Sequence, residues 1–297
     1  SIDGKAFLGK KLKKSELEKR NSAFGYADRF DEKYDLVRSL RKGKYKYMRN
    51  YQPFNVDGLY NFYRYKMLAY KEWYTLFQDG KLNDIQSQFF KPKSPESLYN
   101  IEEDPHETTN LANDIAYNDI LITMREDLNN HLMSINDLSF LPEPYFLNNG
   151  IDDVMEYSAQ NKTLIKKLIE TSNLQLKDYD EVSSQIKNSL NDDNPWVRYW
   201  GLIVCSSFGS KAMENKDKIN VIFENDSENL VRMRAAEFML LNDIELSDSK
   251  INSLLKRSNF EAEANLMLNT LANIKTINPK YKLSLNKNVF PENWIPP

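Results

Sequence analysis

One cysteine, two histidines and nine glycines among 297 residues narrow the chemistry of this chain before any pattern is read. With Cys205 alone, neither an intramolecular disulfide nor an all-cysteine zinc site can form. His106 and His131 make no His-x-x-x-His or His-Glu-x-x-His pair, so no histidine-rich metal site follows. Glycine is too sparse for a phosphate-cradling loop, and no Gly-x-Ser-x-Gly elbow supports a serine nucleophile. No apolar run approaches the roughly 18 residues of a membrane-spanning helix. Forty basic residues against 43 acidic ones, a formal charge of −3, give no electrostatic argument for nucleic-acid binding.

What is present is the composition of a globular protein, 41% hydrophobic and 28% charged, long enough for one large or two ordinary domains. The start, Ser1-Ile-Asp-Gly-Lys5, has no apolar stretch of the signal-peptide kind, and the chain reads as a piece whose N-terminus lies upstream. Cys205 sits in Leu202-Ile-Val-Cys205, which favours a buried small hydrophobe over a reactive thiol.

Along the chain, Tyr34 to Leu40 and Tyr45 to Asn50 read as strands joined through Arg41-Lys-Gly-Lys44, where glycine accepts the positive φ of a tight hairpin. Phe24 to Arg29 before them and Leu98 to Ile101 after them make about four strands, enough for a small antiparallel sheet covered on one face by helix. Asp104-Pro105 stops the last strand, since proline fixes its own φ and displaces its predecessor from the helical region. Asn113-Asp114 then offers cap oxygens. Ile115, Ile120, Leu121, Met124, Leu128, Leu132 and Met133 recur at helical spacing and predict a helix over about 114–134.

The aromatic-rich insertion 51–95 predicts two helices, about 65–78 and 82–90, with Asp79-Gly80 as a stop. Packing of this insertion onto the sheet is preferred over a cleft lining. Pro92, Pro95, Pro142 and Pro144 read as linker marks.

From about Asn161 the strand patterns vanish. Asp193-Asn-Pro-Trp-Val-Arg-Tyr-Trp-Gly-Leu202 and Ser227-Glu-Asn-Leu-Val-Arg-Met-Arg-Ala-Ala236 align with Val197-Arg198 on Val231-Arg232, a period of 34 residues. A divergent third copy runs through Ile251–Leu255 and Phe260–Leu271. This region resembles HEAT repeats, whose helix pairs bury a face by stacking on neighbours. In the turn, Asp and Asn cap the next helix, Pro195 fills its first turn, Val197 faces inward and Arg198 reaches neighbouring caps.

Two stretches carry a second resemblance. Leu98-Tyr-Asn-Ile-Glu-Glu-Asp-Pro-His-Glu-Thr-Thr-Asn-Leu-Ala112 and Phe24-Gly-Tyr-Ala-Asp-Arg-Phe-Asp-Glu-Lys-Tyr-Asp-Leu-Val-Arg38, with Arg38-Ser-Leu-Arg-Lys-Gly-Lys-Tyr-Lys-Tyr-Met-Arg-Asn50 between them, resemble the C-terminal subdomain of a type I, formylglycine-dependent sulfatase of the alkaline phosphatase superfamily. The resemblance covers roughly 1–145. It implies an α+β fold, a small antiparallel sheet against a long helix, followed by the all-α HEAT-like region. The implied division is 1–23 leaving a catalytic domain, 24–145 the subdomain, 146–160 a linker, 161–275 the repeats and 276–297 a tail pinned by its aromatics.

The family's nucleophile comes from a Cys/Ser-x-Pro/Ala-x-Arg motif beside a calcium ion. Cys205-Ser-Ser-Phe-Gly209 and Ser210-Lys-Ala-Met-Glu214 both fail that motif, and the acidic clusters 191–194 and 225–228 read as helix caps. The resemblance therefore implies that calcium and formylglycine belong to an N-terminal catalytic domain, a partner absent from this chain. It also implies a sulfated carbohydrate or other sulfate ester as substrate, a phosphate- or phosphonate-ester relative remaining open, and a periplasmic or secreted location. Asp28, Arg29 and Asp31 are the candidate substrate-binding residues: a guanidinium fork suits sulfate or carboxylate, and a carboxylate accepts a sugar hydroxyl. Tyr26-Ala27 stands where the family has Ala-Arg. A local ion-pair network holding the turn is the preferred reading of the three. The rival to the enzyme is a non-enzymatic module binding a glycan or protein.

Overall fold

A computed structural model of the chain describes residues 6–9, 12–30, 33–291 and 294. The fold is α+β. A four-stranded antiparallel sheet in the order β1 (Ser22–Phe30), β2 (Lys33–Lys42), β3 (Tyr45–Asn50), β4 (Glu96–Asn100) follows a short helix, α1 (Lys14–Glu18). The insertion holds α2 (Phe62–Tyr65), α3 (Leu68–Gln78) and α4 (Asp84–Ser87). After the sheet come α5 (Asn118–Ile135), α6 (Glu143–Asn149), α7 (Val154–Gln160) and α8 (Lys162–Ser172). The chain continues with α9 (Tyr179–Leu190), α10 (Pro195–Phe208), α11 (Lys216–Asn225), α12 (Asn229–Leu241), α13 (Asp248–Lys256) and α14 (Glu261–Ile277).

Two compact units emerge. One comprises Ser1–Tyr26, Val37–Arg49 and Glu96–His131; the other Ala27–Leu36, Asn50–Pro95 and Leu132–Pro297. This division does not follow the boundaries expected from sequence. The stretch 146–160, read as a linker, carries the end of α6 and all of α7, because Pro142 and Pro144 start α6 instead of breaking the chain.

In the first unit the β2–β3 turn is the two-residue Gly43-Lys44 loop, with Gly43 at φ 60°. Tyr45 pairs with Asn100 and Arg49 with Glu96 along β3–β4. The expected long helix is present as α5, entered through a 3₁₀ turn, Ile115–Tyr117, whose cap Asp114 accepts from the Ala116 N–H at 2.9 Å. It lies on the sheet. Leu121, Met124 and Leu128 are buried along it, as are Leu40, Tyr47 and Leu98 on the strands. Arg125 forks onto Glu96 at 2.8 and 2.5 Å, Lys42 meets Asp127 at 2.7 Å, and His131 stacks on Phe24 with ring centroids 3.6 Å apart.

The acidic turn after β4 is organised by two side chains. Asp104 accepts from the N–H groups of Thr108 and Thr109 at 2.7 and 2.8 Å. Asn110 Oδ1 accepts from the N–H of Leu98 at 2.9 Å and of Ala112 at 3.0 Å, so its amide completes the outer edge of β4. Asn110→Ala would leave the N–H of fully buried Leu98 without that acceptor, at a cost of about 1–3 kcal/mol. Urea unfolding reads this directly, and an unchanged midpoint would mean that water replaces the amide.

In the second unit the helices stack: α10 contacts α8, α9 and α12, and α12 contacts α11 and α14. The sequence-level reading of the Asp193 to Arg198 turn matches the geometry. Asn194 caps α10 by accepting from Trp196 N–H, Pro195 is at its first turn and Val197 is buried. Arg198 donates to the carbonyls of Asp192 and Asp193 at 2.8 and 3.0 Å and forks onto Asp226 at 2.7 and 2.9 Å. Arg232, its counterpart one period on, instead donates to the Phe223 carbonyl at 2.6 Å. Gly201 admits close approach of α9, since a Cβ there would stand 2.4 Å from Ser189 Oγ.

The insertion builds an aromatic cluster around buried Phe90: Trp73 stacks on Phe89 at 4.6 Å, Phe77 on Phe90 at 4.8 Å, and Tyr74 lies 5.5 Å from Phe90. It is tied to the start of β2 by the Lys93–Asp35 ion pair and by Asn55, which donates to Asp35 at 3.1 Å. The tail is held by side chains of α13: Asp248 and Asn252 accept from the N–H groups of Ser284 and Asn286 at 3.3 and 2.9 Å. Phe290 and Trp294 line a groove of about 570 Å³ against Leu268 and Ala272 of α14.

Candidate functional site

The end of β1 places Asp28 and Arg29 at a cavity of about 220 Å³ that is also lined by Tyr34, Ser139, Glu143 and Phe146. Opposite β1 runs a 3₁₀ turn, Leu138–Phe140, capped by Asp137, which accepts from Ser139 N–H at 3.0 Å. Pro142 then leads into α6, whose first turn carries Glu143, a position where the partial positive end of a helix favours a carboxylate.

Glu143 Oε2 accepts from Arg29 Nε at 3.0 Å and from Nη2 as an ion pair. The Arg29 guanidinium lies 6.0 Å from the centroid of the Tyr34 ring. Asp28 accepts from Ser139 Oγ at 3.0 Å. The side chains of Arg29 and Glu143 are 26% and 36% exposed, so the pair is worth no more than about 1 kcal/mol to stability.

Asp28 and Arg29 are therefore brought to one cavity, while Asp31 lies outside the described residues. Sequence reasoning missed Glu143, Ser139 and Tyr34. Glu143 is 114 residues from its partner, and its only local signal, Leu-Pro-Glu-Pro, reads as a linker. An anion approaching Arg29 competes with Glu143 for Nε and Nη2, and a hydroxyl approaching Asp28 meets a carboxylate already accepting from Ser139.

Among the described residues no three His, Cys, Asp or Glu side chains group in a way that could hold a metal ion. Cys205 is buried within α10, and burial pushes its thiol up to about 12, far from a reactive thiolate. His106 is exposed in the acidic turn, and His131 is spent on stacking.

No known family's sequence model matches the chain. Over 148 residues, half of the chain, it is 36% identical to an ulvan-active sulfatase of Formosa agariphila. That alignment spans 24% of the relative, so the matched half of the chain covers about a quarter of that protein's length. The chain thus contains a region related to a sulfatase. Among the described residues no helix is long and apolar enough to cross a membrane.

Proposed function

We propose that this chain is the C-terminal part of an enzyme that hydrolyses sulfate esters of a glycan, with nucleophile and calcium supplied by an N-terminal domain outside this sequence. The observation that carries the reading is the 36% identity over 148 residues to an ulvan-active sulfatase. The order of the Phe24 to Arg38 and Leu98 to Ala112 stretches supports it. In this reading Asp28 and Arg29 shape one wall of the substrate cleft, with Glu143 and Ser139 holding their side chains in place. The helices α8 to α14 form a short HEAT-like array, a reading supported by the 34-residue period and the contacts of α10 with α12 and α12 with α14. An extracellular or periplasmic location suits a glycan substrate.

The test is sulfate release from ulvan by the longest polypeptide of the native reading frame, alongside the present chain alone. The long form is expected to release sulfate and to contain formylglycine by peptide mapping, and the present chain to release none. A long form without formylglycine or sulfate release would sink the enzyme reading. A non-enzymatic glycan-binding module is the second reading, favoured by the exposed rings of the insertion, where Tyr63 is 71% exposed.

A further inference from the structure

The insertion gathers its aromatic rings around buried Phe90. Tyr65, whose hydroxyl donates to the Gly58 carbonyl at 2.8 Å, packs edge-on to Tyr74 at 5.5 Å, and Trp73, Phe77, Phe89 and Phe90 fill the space beneath. Outside this layer Tyr60, Phe62 and Tyr63 are 51%, 54% and 71% exposed, and Leu68 is 82% exposed. A run of large exposed apolar side chains marks a contact surface.

The charges within that run, between Asp57 and Glu72, are basic. From Gly58 to Lys71 the sequence has Arg64, Lys66 and Lys71 and no carboxylate. Lys66 Nζ stands over the Phe62 ring at 4.2 Å, and Arg64 lies 5.3 Å from the centroid of Tyr70. Lys33 joins them, since its ammonium and Arg64 Nη1 both donate to the Asp57 carbonyl at 3.1 and 3.0 Å. Burial holds the Lys33 ammonium below its usual range, and the neighbouring charges of Lys93 and Arg64 push the same way, against Asp35 and Asp57.

We propose that the outer face of the insertion, built on Tyr60, Phe62, Tyr63, Arg64 and Lys66, binds an anionic polysaccharide. The apolar C–H face of a pyranose ring leaves water when it stacks on an aromatic ring, and sulfate or carboxylate groups along the chain meet guanidinium and ammonium groups at the ring edges. A protein partner is less well suited: the centre of a protein interface is depleted of charge, whereas here Arg64 and Lys66 alternate with the rings. The carbohydrate part of the assignment rests on the proposed function, but binding here needs no hydrolysis.

The experiment is affinity electrophoresis and calorimetry of the full chain with ulvan, chemically desulfated ulvan and a single-stranded oligonucleotide. Tyr63→Ala and Lys66→Glu serve as variants, with circular dichroism to confirm folding. Ulvan is expected to bind, the desulfated polymer at least tenfold more weakly, and each variant to lose tenfold or more, with binding weakening as salt rises. Equal binding of desulfated ulvan, equal or tighter binding of the oligonucleotide, or variants that bind like the parent would each overturn the proposal. So would variants that leave ulvan binding intact while dissolving a self-association of the chain. Sulfate release by the longest form is scored separately: its absence with patch-dependent binding intact removes only the enzyme reading, and its presence with indifferent variants removes only this inference.

Discussion

Arg234→Met is expected to cost about 3–5 kcal/mol of stability, because it leaves a carboxylate buried without its counter-charge. Arg234 and Glu237 lie one turn apart on α12, with side chains 3% and 2% exposed. Nη1 donates to both carboxylate oxygens at 2.8 Å, Nη2 donates to the Tyr199 hydroxyl at 2.7 Å, and the guanidinium sits 4.9 Å from the Tyr199 ring centroid. Burial already pushes the Glu237 carboxyl above its usual range, and Arg234 opposes that push. Without the arginine the carboxyl rises further. A folded-state pKa above the unfolded one favours folding below the unfolded value and is lost as pH rises through the folded value. The variant's deficit is therefore smaller at pH 5 than at pH 8. Adding Glu237→Leu, which removes the stranded charge, should recover a large part of the loss. Urea unfolding at both pH values measures this, and a deficit that is independent of pH and unmoved by the second change would show that packing alone is at stake.

Trp200→Ala should be comparably damaging, about 3–5 kcal/mol, through loss of the largest fully buried side chain of the helical unit. The indole is 2% exposed, donates from Nε1 to the Phe140 carbonyl at 2.7 Å, and meets Tyr51 edge-on at 5.9 Å and Phe140 at 5.4 Å. It thereby joins α10 to the start of the insertion and to the turn that precedes α6. Trp200→Phe separates two terms: most of the ring packing survives, but the Phe140 carbonyl loses its donor, for about 1–3 kcal/mol. Thermal melting followed by circular dichroism should rank the parent above Phe and Phe above Ala. A Phe variant as unstable as Ala would assign the whole effect to the hydrogen bond.

Much of the architecture is written locally. The Gly43 turn, the α5 periodicity, the Asp79-Gly80 stop and the Asn194-Pro195 cap all act within a few residues, where a fixed φ, a cap oxygen or a helical repeat works regardless of the rest of the chain. The same locality misleads at Pro142 and Pro144. A proline that breaks one pattern also suits a helix's first turn, and α6 begins where a linker was expected.

The candidate site was legible by half. Asp28 and Arg29 stand out through a resemblance, but what they touch does not, because Glu143 and Ser139 arrive from more than a hundred residues away. The insertion shows the same divide. Its wealth of aromatics is plain in the sequence, yet Phe90 is buried, Trp73 and Phe77 are half-buried against it, and Phe62 and Tyr63 face water.

By itself, then, the sequence determined the α+β class, the hairpin, the long helix, the helical second half and the failure of the formylglycine motif, all set by residue type and short spacing. Only the tertiary structure decided that Arg29 is held by Glu143, that Arg234 and Glu237 are buried together against Tyr199, and which rings of the insertion stay outside. Pairing and burial depend on where distant segments meet, and no local preference encodes that meeting.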